Sequence, residues 1–323
     1  MGAAGDGTPV DEPVDEHCRR VPAEPLRPYV AWYTGYRQRG IAPARHRGLP
    51  SPFLTLIFTL DEPLTVLAHP DPGQPGGEFG TLLGGLHCVP ALIAHQGAQS
   101  GIQLAMRPLG ARVLLGLPAG ELANADVPAE TVLGGICAEW HDRVRQAASW
   151  RERFEVMDEL LLRLAGAQPA GPPFAANGAA QGAVPSAAQG TAPGVPPEVS
   201  WAWHQLIRSG GATRVSALAA ETGWSSRHLT SRFRAEIGLT PKAAARVIRF
   251  TRARQLLARQ VAAGAQTRLA DLAVTCGYFD QAHLAREFRA LAGIPPSQWL
   301  AEEFRNVQAA ADPAGGPWTD PAC

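Results

Sequence analysis

Read as a pattern of apolar and polar positions, the chain divides into two stretches of different periodicity. The run Phe53-Leu-Thr-Leu-Ile-Phe-Thr-Leu60 is almost continuously apolar or β-branched, and Leu64-Thr-Val-Leu-Ala68 has the same character after the turn signal Asp61-Glu-Pro63. Both predict strands. Residues 80–106 are apolar with frequent glycine and predict further short strands and turns, while 111–117 predict a short helix. Residues 136–147 and 150–164 predict a helical pair. The second opens on a Ser149/Glu152 capping box and carries one apolar stripe, Trp150, Phe154, Met157, Leu161 and Leu164. That stripe is expected in the core, with a subunit contact as the alternative.

Beyond residue 200 the period is helical throughout, and a pattern occurs twice. After a short amphipathic helix at 201–209 comes Val215-Ser-Ala-Leu-Ala-Ala-Glu-Thr-Gly223-Trp, then Ser225-Ser-Arg-His-Leu-Thr-Ser-Arg-Phe-Arg234. The second copy reads Leu269-Ala-Asp-Leu-Ala-Val-Thr-Cys-Gly277-Tyr, then Phe279-Asp-Gln-Ala-His-Leu-Ala-Arg-Glu-Phe-Arg289. Leu218, Ala219 and Gly223 recur 54 residues later, whereas Leu229, Phe233, Gly238 and Pro241 recur 55 later. The extra residue falls in the turn, where an insertion costs least. Each copy has the logic of a helix-turn-helix: a first helix burying Leu and Ala, a glycine turn, then a second helix. Asp280 is the expected N-cap of the second copy, and Ser225 or Ser226 that of the first. The pairs Leu229/Phe233 and Leu284/Phe288 face inward, which leaves Arg227, Thr230, Ser231 and Arg234 outward in one copy. In the other, Gln281, Ala282, His283, Ala285, Arg286 and Arg289 point outward. Residues 241–259 predict one connecting helix that carries Arg246, Arg249, Arg252, Arg254 and Arg259.

Between the two stretches lie residues 166–197, with 10 Ala, 7 Pro, 6 Gly and no charge. Such a segment buries too little apolar surface to offset its ordering entropy, so it reads as a disordered tether between independently folded modules. The expected organisation is a disordered 1–16, a regulatory domain over 17–165, the tether, a DNA-binding domain over 198–306 and a disordered tail, 307–323. The expected fold is α+β in the first domain, a small β-rich, barrel-like sheet with helices, and all-α in the second.

Net charge is +0 over 323 residues, from 29 basic and 29 acidic side chains, which taken alone argues against a nucleic-acid partner. Divided by region, that argument fails. Residues 1–165 carry −5, and 198–306 carry +7, an asymmetry expected of a polyanion-binding C-terminal module. All but one of the basic residues are Arg, the exception being Lys242. Because the bias runs through the whole chain, base composition explains it better than function. No apolar run reaches the ~20 residues of a membrane helix, and no secretory signal is visible. Five scattered cysteines without a C-x-x-C pair read as a reduced, cytoplasmic protein.

The run Ala273-Val-Thr-Cys-Gly277-Tyr-Phe-Asp280-Gln-Ala-His283-Leu-Ala-Arg286-Glu-Phe288-Arg289, followed by Gly293-Ile-Pro-Pro296-Ser297, resembles the signature of the AraC/XylS transcriptional regulators. The resemblance covers residues of about 200–304. It implies two recognition helices entering successive major grooves on one face of double-stranded DNA, with RNA polymerase as a further partner. The site residues it implies are Ser226, Arg227, Thr230, Ser231, Arg232 and Arg234 in the first copy. In the second they are Gln281, Ala282, His283, Arg286 and Arg289. The chain departs from the family at Ser231, where Arg is frequent and where neighbouring Arg232 is expected to reach a phosphate instead. Ala282 and Ala285 lack hydrogen-bonding groups, though Ala can meet a thymine methyl. Arg286 has an alternative as an anchor to phosphate or to a neighbouring helix, and His228 reads as a packing or surface residue.

Two N-terminal segments, Leu26-Arg-Pro-Tyr29-Val and Arg107-Pro-Leu-Gly110 onward to Pro118, resemble the sensor-type domain of one branch of that family. They imply a domain that responds to a small-molecule effector or to a second copy of the chain, as in a homodimer. Trp32, Tyr33 and Tyr36 are candidates for a pocket or for the core, and Arg107 for an anionic effector or for a strand-to-helix joint. No catalytic motif appears, and the adjacent pairs His17-Cys18 and His87-Cys88 are poorly spaced for a metal. No enzyme activity, cofactor or metal is therefore expected. The alternatives are an N-terminal enzyme localised by its C-terminal half, and a co-regulator acting mainly through protein contacts.

Overall fold

The computed structural model describes residues 13–167, 194–265 and 268–302. The segments expected to be disordered fall largely outside them: 1–12, 168–193 and 303–323. Strand β1 (Val14–Arg20) begins inside the expected N-terminal segment, and the helices flanking the tether run to Ala167 and from Pro197.

Ten strands form two antiparallel sheets. The remaining strands are β2 (Val30–Arg39), β3 (Ala44–Gly48), β4 (Leu54–Thr59), β5 (Leu64–Ala68), β6 (Gly77–Phe79), β7 (Thr81–Gly84), β8 (Ala91–His95), β9 (Gln99–Met106) and β10 (Asp126–Val127). One sheet has the order β1-β2-β9-β4-β7-β10 and the other β3-β8-β5-β6. The expected barrel-like sheet is corrected accordingly: no closed barrel forms among the described strands. The cause lies at the turn Asp61-Glu-Pro63. β4 pairs with β7 and β9 while β5 pairs with β6 and β8, so the turn carries the chain from one sheet to the other instead of closing a hairpin.

Period-2 alternation explains why these strands are apolar on both faces. In β4, Leu54, Leu56 and Phe58 enter the main core, whereas Thr55 and Ile57 face the second sheet. β9 repeats this, with Ile102, Leu104 and Met106 in the core and Gln103 and Ala105 on the inter-sheet side. The helical side of the large sheet is covered by α1 (Ala111–Leu115), α2 (Glu130–Leu133), α3 (Ile136–Gln146) and α4 (Trp150–Ala167). The stripe on α4 is core: Phe154, Met157 and Leu161 are fully buried, and Phe154 stacks on Tyr33 at 5.8 Å. Asp158 fixes this packing by accepting from the Tyr33 hydroxyl at 2.9 Å and from the Ala23 amide at 3.0 Å.

The C-terminal domain comprises α5 (Pro197–Arg208), α6 (Val215–Thr222), α7 (Ser226–Ile237), α8 (Pro241–Ala262), α9 (Leu269–Thr275), α10 (Gln281–Ala292) and α11 (Pro296–Glu302). α6–α7 and α9–α10 are the two expected helix-turn-helix units. Their turns use Gly223 at φ +70° and Gly277 at φ +76°, a region in which a Cβ would be strained. α8 joins the units. On it Phe250 meets Phe288 of α10 edge-on at 4.9 Å, and Phe288 also packs on Trp299 of α11.

His46 on β3 is buried at 3% exposure, with its Nδ1 unpaired and the His95 ring 6.1 Å away. Burial first, and then His95, push its pKa down to about 4. The unfolded chain therefore takes up this proton first as pH falls from ~6.5. The neutral ring's stabilisation is complete above ~6.5 and disappears towards pH 4, with ~2 kcal/mol lost by pH 5. Urea titrations at pH 7 and pH 5 should show that loss and its reduction in His46→Leu; equal midpoints for the wild type would refute it.

Candidate nucleic-acid interface

The two second helices are built alike. Ser225 Oγ accepts from the His228 amide at 3.2 Å, and Asp280 Oδ1 accepts from the His283 amide at 2.6 Å, so each helix starts on a side-chain cap. Ser225, not Ser226, is the cap of α7. Each helix ends on a left-handed glycine, Gly238 or Gly293. Leu229, Phe233, Leu284 and Phe288 are fully buried, which fixes the rotation of both helices.

That rotation brings the expected residues to the surface. Ser226, Arg227, Ser231, Arg232 and Arg234 on α7 are exposed, and so are Gln281, Ala282, Arg286 and Arg289 on α10. Among the described residues no carboxylate pairs with Arg227, Arg232, Arg234, Arg286 or Arg289. Five guanidinium groups are thus presented without internal neutralisation. Two expected readers are partly committed. The Thr230 hydroxyl donates to the Ser226 carbonyl at 2.7 Å, and His283 accepts the Phe279 amide on Nδ1 while its ring meets Tyr278 edge-on at 5.4 Å.

The arginines of α8 depart from a uniform basic surface. Arg246 pairs with Glu287 at 2.7 Å, which raises its pKa further. Arg249 donates to the Gly211 carbonyl at 2.9 Å and lies over the Tyr278 ring. Arg254 is buried, and only Arg252 and Arg259 remain exposed. Two of these cations, Arg246 and Arg249, position the two units against each other, a role that helical spacing alone does not distinguish from phosphate binding.

Residues 218–302, which span both copies, match a family described as a helix-turn-helix domain. The chain therefore carries a helix-turn-helix DNA-binding domain. Residues 19–128 match a family described as a domain of unknown function, DUF6597. No curated protein matches the chain. Among solved structures it is similar to ToxT from Vibrio cholerae O395, at 10% identity over 85% of this chain and 98% of that one, TM-score 0.46. ToxT from strain SCE256 with bound unsaturated fatty acid aligns at 8% identity over 84% and 94%, TM-score 0.43. The C-terminal domain of AraT, a response regulator from Geobacillus stearothermophilus, aligns at 20% identity over 32% and 84%, TM-score 0.29.

Direct contact between the two domains was not legible in the sequence. Glu236, on the side of α7 away from its reading face, accepts a two-pronged bond from Arg112 of α1, both distances 2.8 Å. The carboxylate holds the Arg112 pKa above its ordinary value. Beside this pair the 3₁₀ turn Ala119–Leu122 packs on α7, where a Cβ on Gly120 would overlap the Ala235 carbonyl oxygen well inside van der Waals contact. Gly120 and Ala123 form one wall of a groove whose other wall holds Arg227, Thr230, Ser231 and Arg234. The regulatory domain therefore borders the reading face of α7. Arg47 of β3 also pairs with Glu302 of α11 at 3.0 Å.

A cavity of about 80 Å³ lies between the sheets, lined in part by Trp32, Ile57, His87, Gln103, Asp126 and Arg254. Of the aromatic candidates, Trp32 lines it while Tyr33 and Tyr36 are buried and do not. Arg107 donates to the Arg27 carbonyl at 3.1 Å, at the joint between β9 and α1. Among the described residues no three His, Cys, Asp or Glu side chains group as a metal site would need, and no helix is long and apolar enough to cross a membrane.

Replacing Arg112 by Ala leaves Glu236 buried without its charged donor and should remove ~1.5–3 kcal/mol of stability. Amide exchange along α7 should accelerate in the full-length variant. Unchanged exchange would mean that apolar packing alone holds the helix.

Proposed function

We propose that this chain is a transcriptional regulator that reads two successive major grooves on one face of duplex DNA, with α7 in one and α10 in the next, and that its N-terminal domain controls the position of α7. The observation that carries this reading is the duplicated capping and rotation of two exposed recognition helices on one connecting helix. α8 has 22 residues, hence a length of about 33 Å, close to the ~34 Å turn of duplex DNA. Ser226, Arg227, Thr230, Ser231, Arg232 and Arg234 serve the first groove, and Gln281, Ala282, His283, Arg286 and Arg289 the second. RNA polymerase and a second copy of the chain, joined through the N-terminal domain, complete the set of macromolecular partners. A cytoplasmic location and the division into 17–165 and 198–306 belong to the same reading.

The inter-sheet cavity supports an effector site. Gln103, Ile57 and Leu82 lie side by side on the wall formed by the large sheet, His87 also lines the cavity, and Arg254 brings the DNA-binding domain into its lining. Occupancy there bears on α8 directly. A small molecule that raises Tm in the wild type and has no effect on Ile57→Trp, which fills the cavity, would support this assignment. An equal shift in both would place the site elsewhere.

For DNA, titration of the full-length protein on a duplex selected from a random pool should give log K falling with log salt. The slope should be about −4 to −5 if the five exposed arginines each neutralise a phosphate. Arg286→Ala should lose ~1–3 kcal/mol and relax one base position if its contact is bidentate to a base. A flat salt response, or the absence of any enriched motif, would overturn the reading.

A further inference from the structure

The extra residue of the second helix-turn-helix can be identified in the structure. Up to the turn the two copies are offset by 54, and the Trp224 amide donates to the Ala219 carbonyl as the Tyr278 amide does to Ala273. After the turn the offset is 55, with Ser225 and Asp280 as the equivalent caps and His228 and His283 as their equivalent donors. The aromatic-histidine contact is duplicated as well, Trp224 on His228 at 4.5 Å and Tyr278 on His283 at 5.4 Å. Every structural position around the turn is therefore filled in both copies, and Phe279 is the residue left over.

Phe279 is 89% exposed, the most exposed of the large apolar residues among those described, on a backbone held by the hydrogen bond that its amide donates to His283 Nδ1. A phenyl ring held in water forfeits the burial that would make it useful to the fold. It stands immediately before the cap of α10 and two residues before Gln281, at the helix end that helix-turn-helix proteins lay against base edges. On the helix that follows, Ala282 beside Gln281 is exposed and has no hydrogen-bonding group of its own. Apolar features of the major groove are few, and the thymine C5-methyl is the one that carries sequence information.

We propose that Phe279 is a specificity-determining residue of the second recognition helix, making an apolar contact with the C5-methyl of one thymine. This rests on the DNA-reading function above and names a base contact that the repeat pattern does not contain, since α7 has no counterpart.

The test uses the full-length protein and a random duplex pool. The wild type should enrich a motif with a thymine column in the half contacted by α10, and Phe279→Ala should lose that column while keeping the half contacted by α7. Replacing that thymine by deoxyuridine, which deletes only the methyl group, should weaken wild-type binding about fourfold and leave Phe279→Ala unaffected. Identical motifs for both proteins, or an equal loss on deoxyuridine, would overturn the inference while the DNA reading stands. So would a variant with unaltered DNA binding and reduced transcription, which would assign the ring to a protein contact. If the wild type enriches no motif, the DNA reading fails and the inference with it.

Discussion

The connecting helix α8 is the constraint on which the rest of the molecule depends. Its buried side, with Val247, Phe250 and Leu257, joins the cores of both helix-turn-helix units, so the two recognition helices are set by one rigid rod and not by a hinge. Its charged side chains complete the arrangement: Arg246 on Glu287 ties it to α10, and Arg249 ties it to the Gly211 carbonyl and the Tyr278 ring. A charge-assisted bond that is half removed from water is stronger than one on an open surface. These arginines therefore fix geometry where a sequence pattern suggests phosphate binding. The cations left outward are mainly those of α7 and α10.

From the same helix Arg254 reaches the wall of the inter-sheet cavity, and from α7 Glu236 reaches Arg112. The N-terminal domain thus touches the DNA-binding domain at the rod, at one recognition helix and, through Arg47–Glu302, at α11, while α10 lies outside the Arg112–Glu236 contact. The close approach at Gly120, which no side chain larger than hydrogen permits, keeps the contact short and its geometry strict.

Much of this was legible along the chain because it rests on local physics. The helix-turn-helix units follow from Leu and Ala spacing, Gly223, Gly277 and the caps, all within a dozen residues. The strand at 54–59 and the α4 stripe follow from period alone. What local pattern cannot carry is the partner of a face. Leu54–Thr59 is apolar on both sides, and only the assembled sheets show that Thr55 and Ile57 face a cavity while Leu54, Leu56 and Phe58 face helices. The extra residue of the second turn was visible as a change of offset, but that it is Phe279, and that it is exposed, was not.

The sequence by itself therefore determined the elements, the duplicated DNA-binding unit and the charge division of −5 against +7, because each is a sum or a spacing of neighbouring residues. Only the tertiary structure decided which arginines are left outward and which brace, that the described strands form two sheets and no closed barrel, and that Arg112 meets Glu236 across 124 residues of chain. Those outcomes depend on which surfaces exclude water together, and that is a property of the packed molecule.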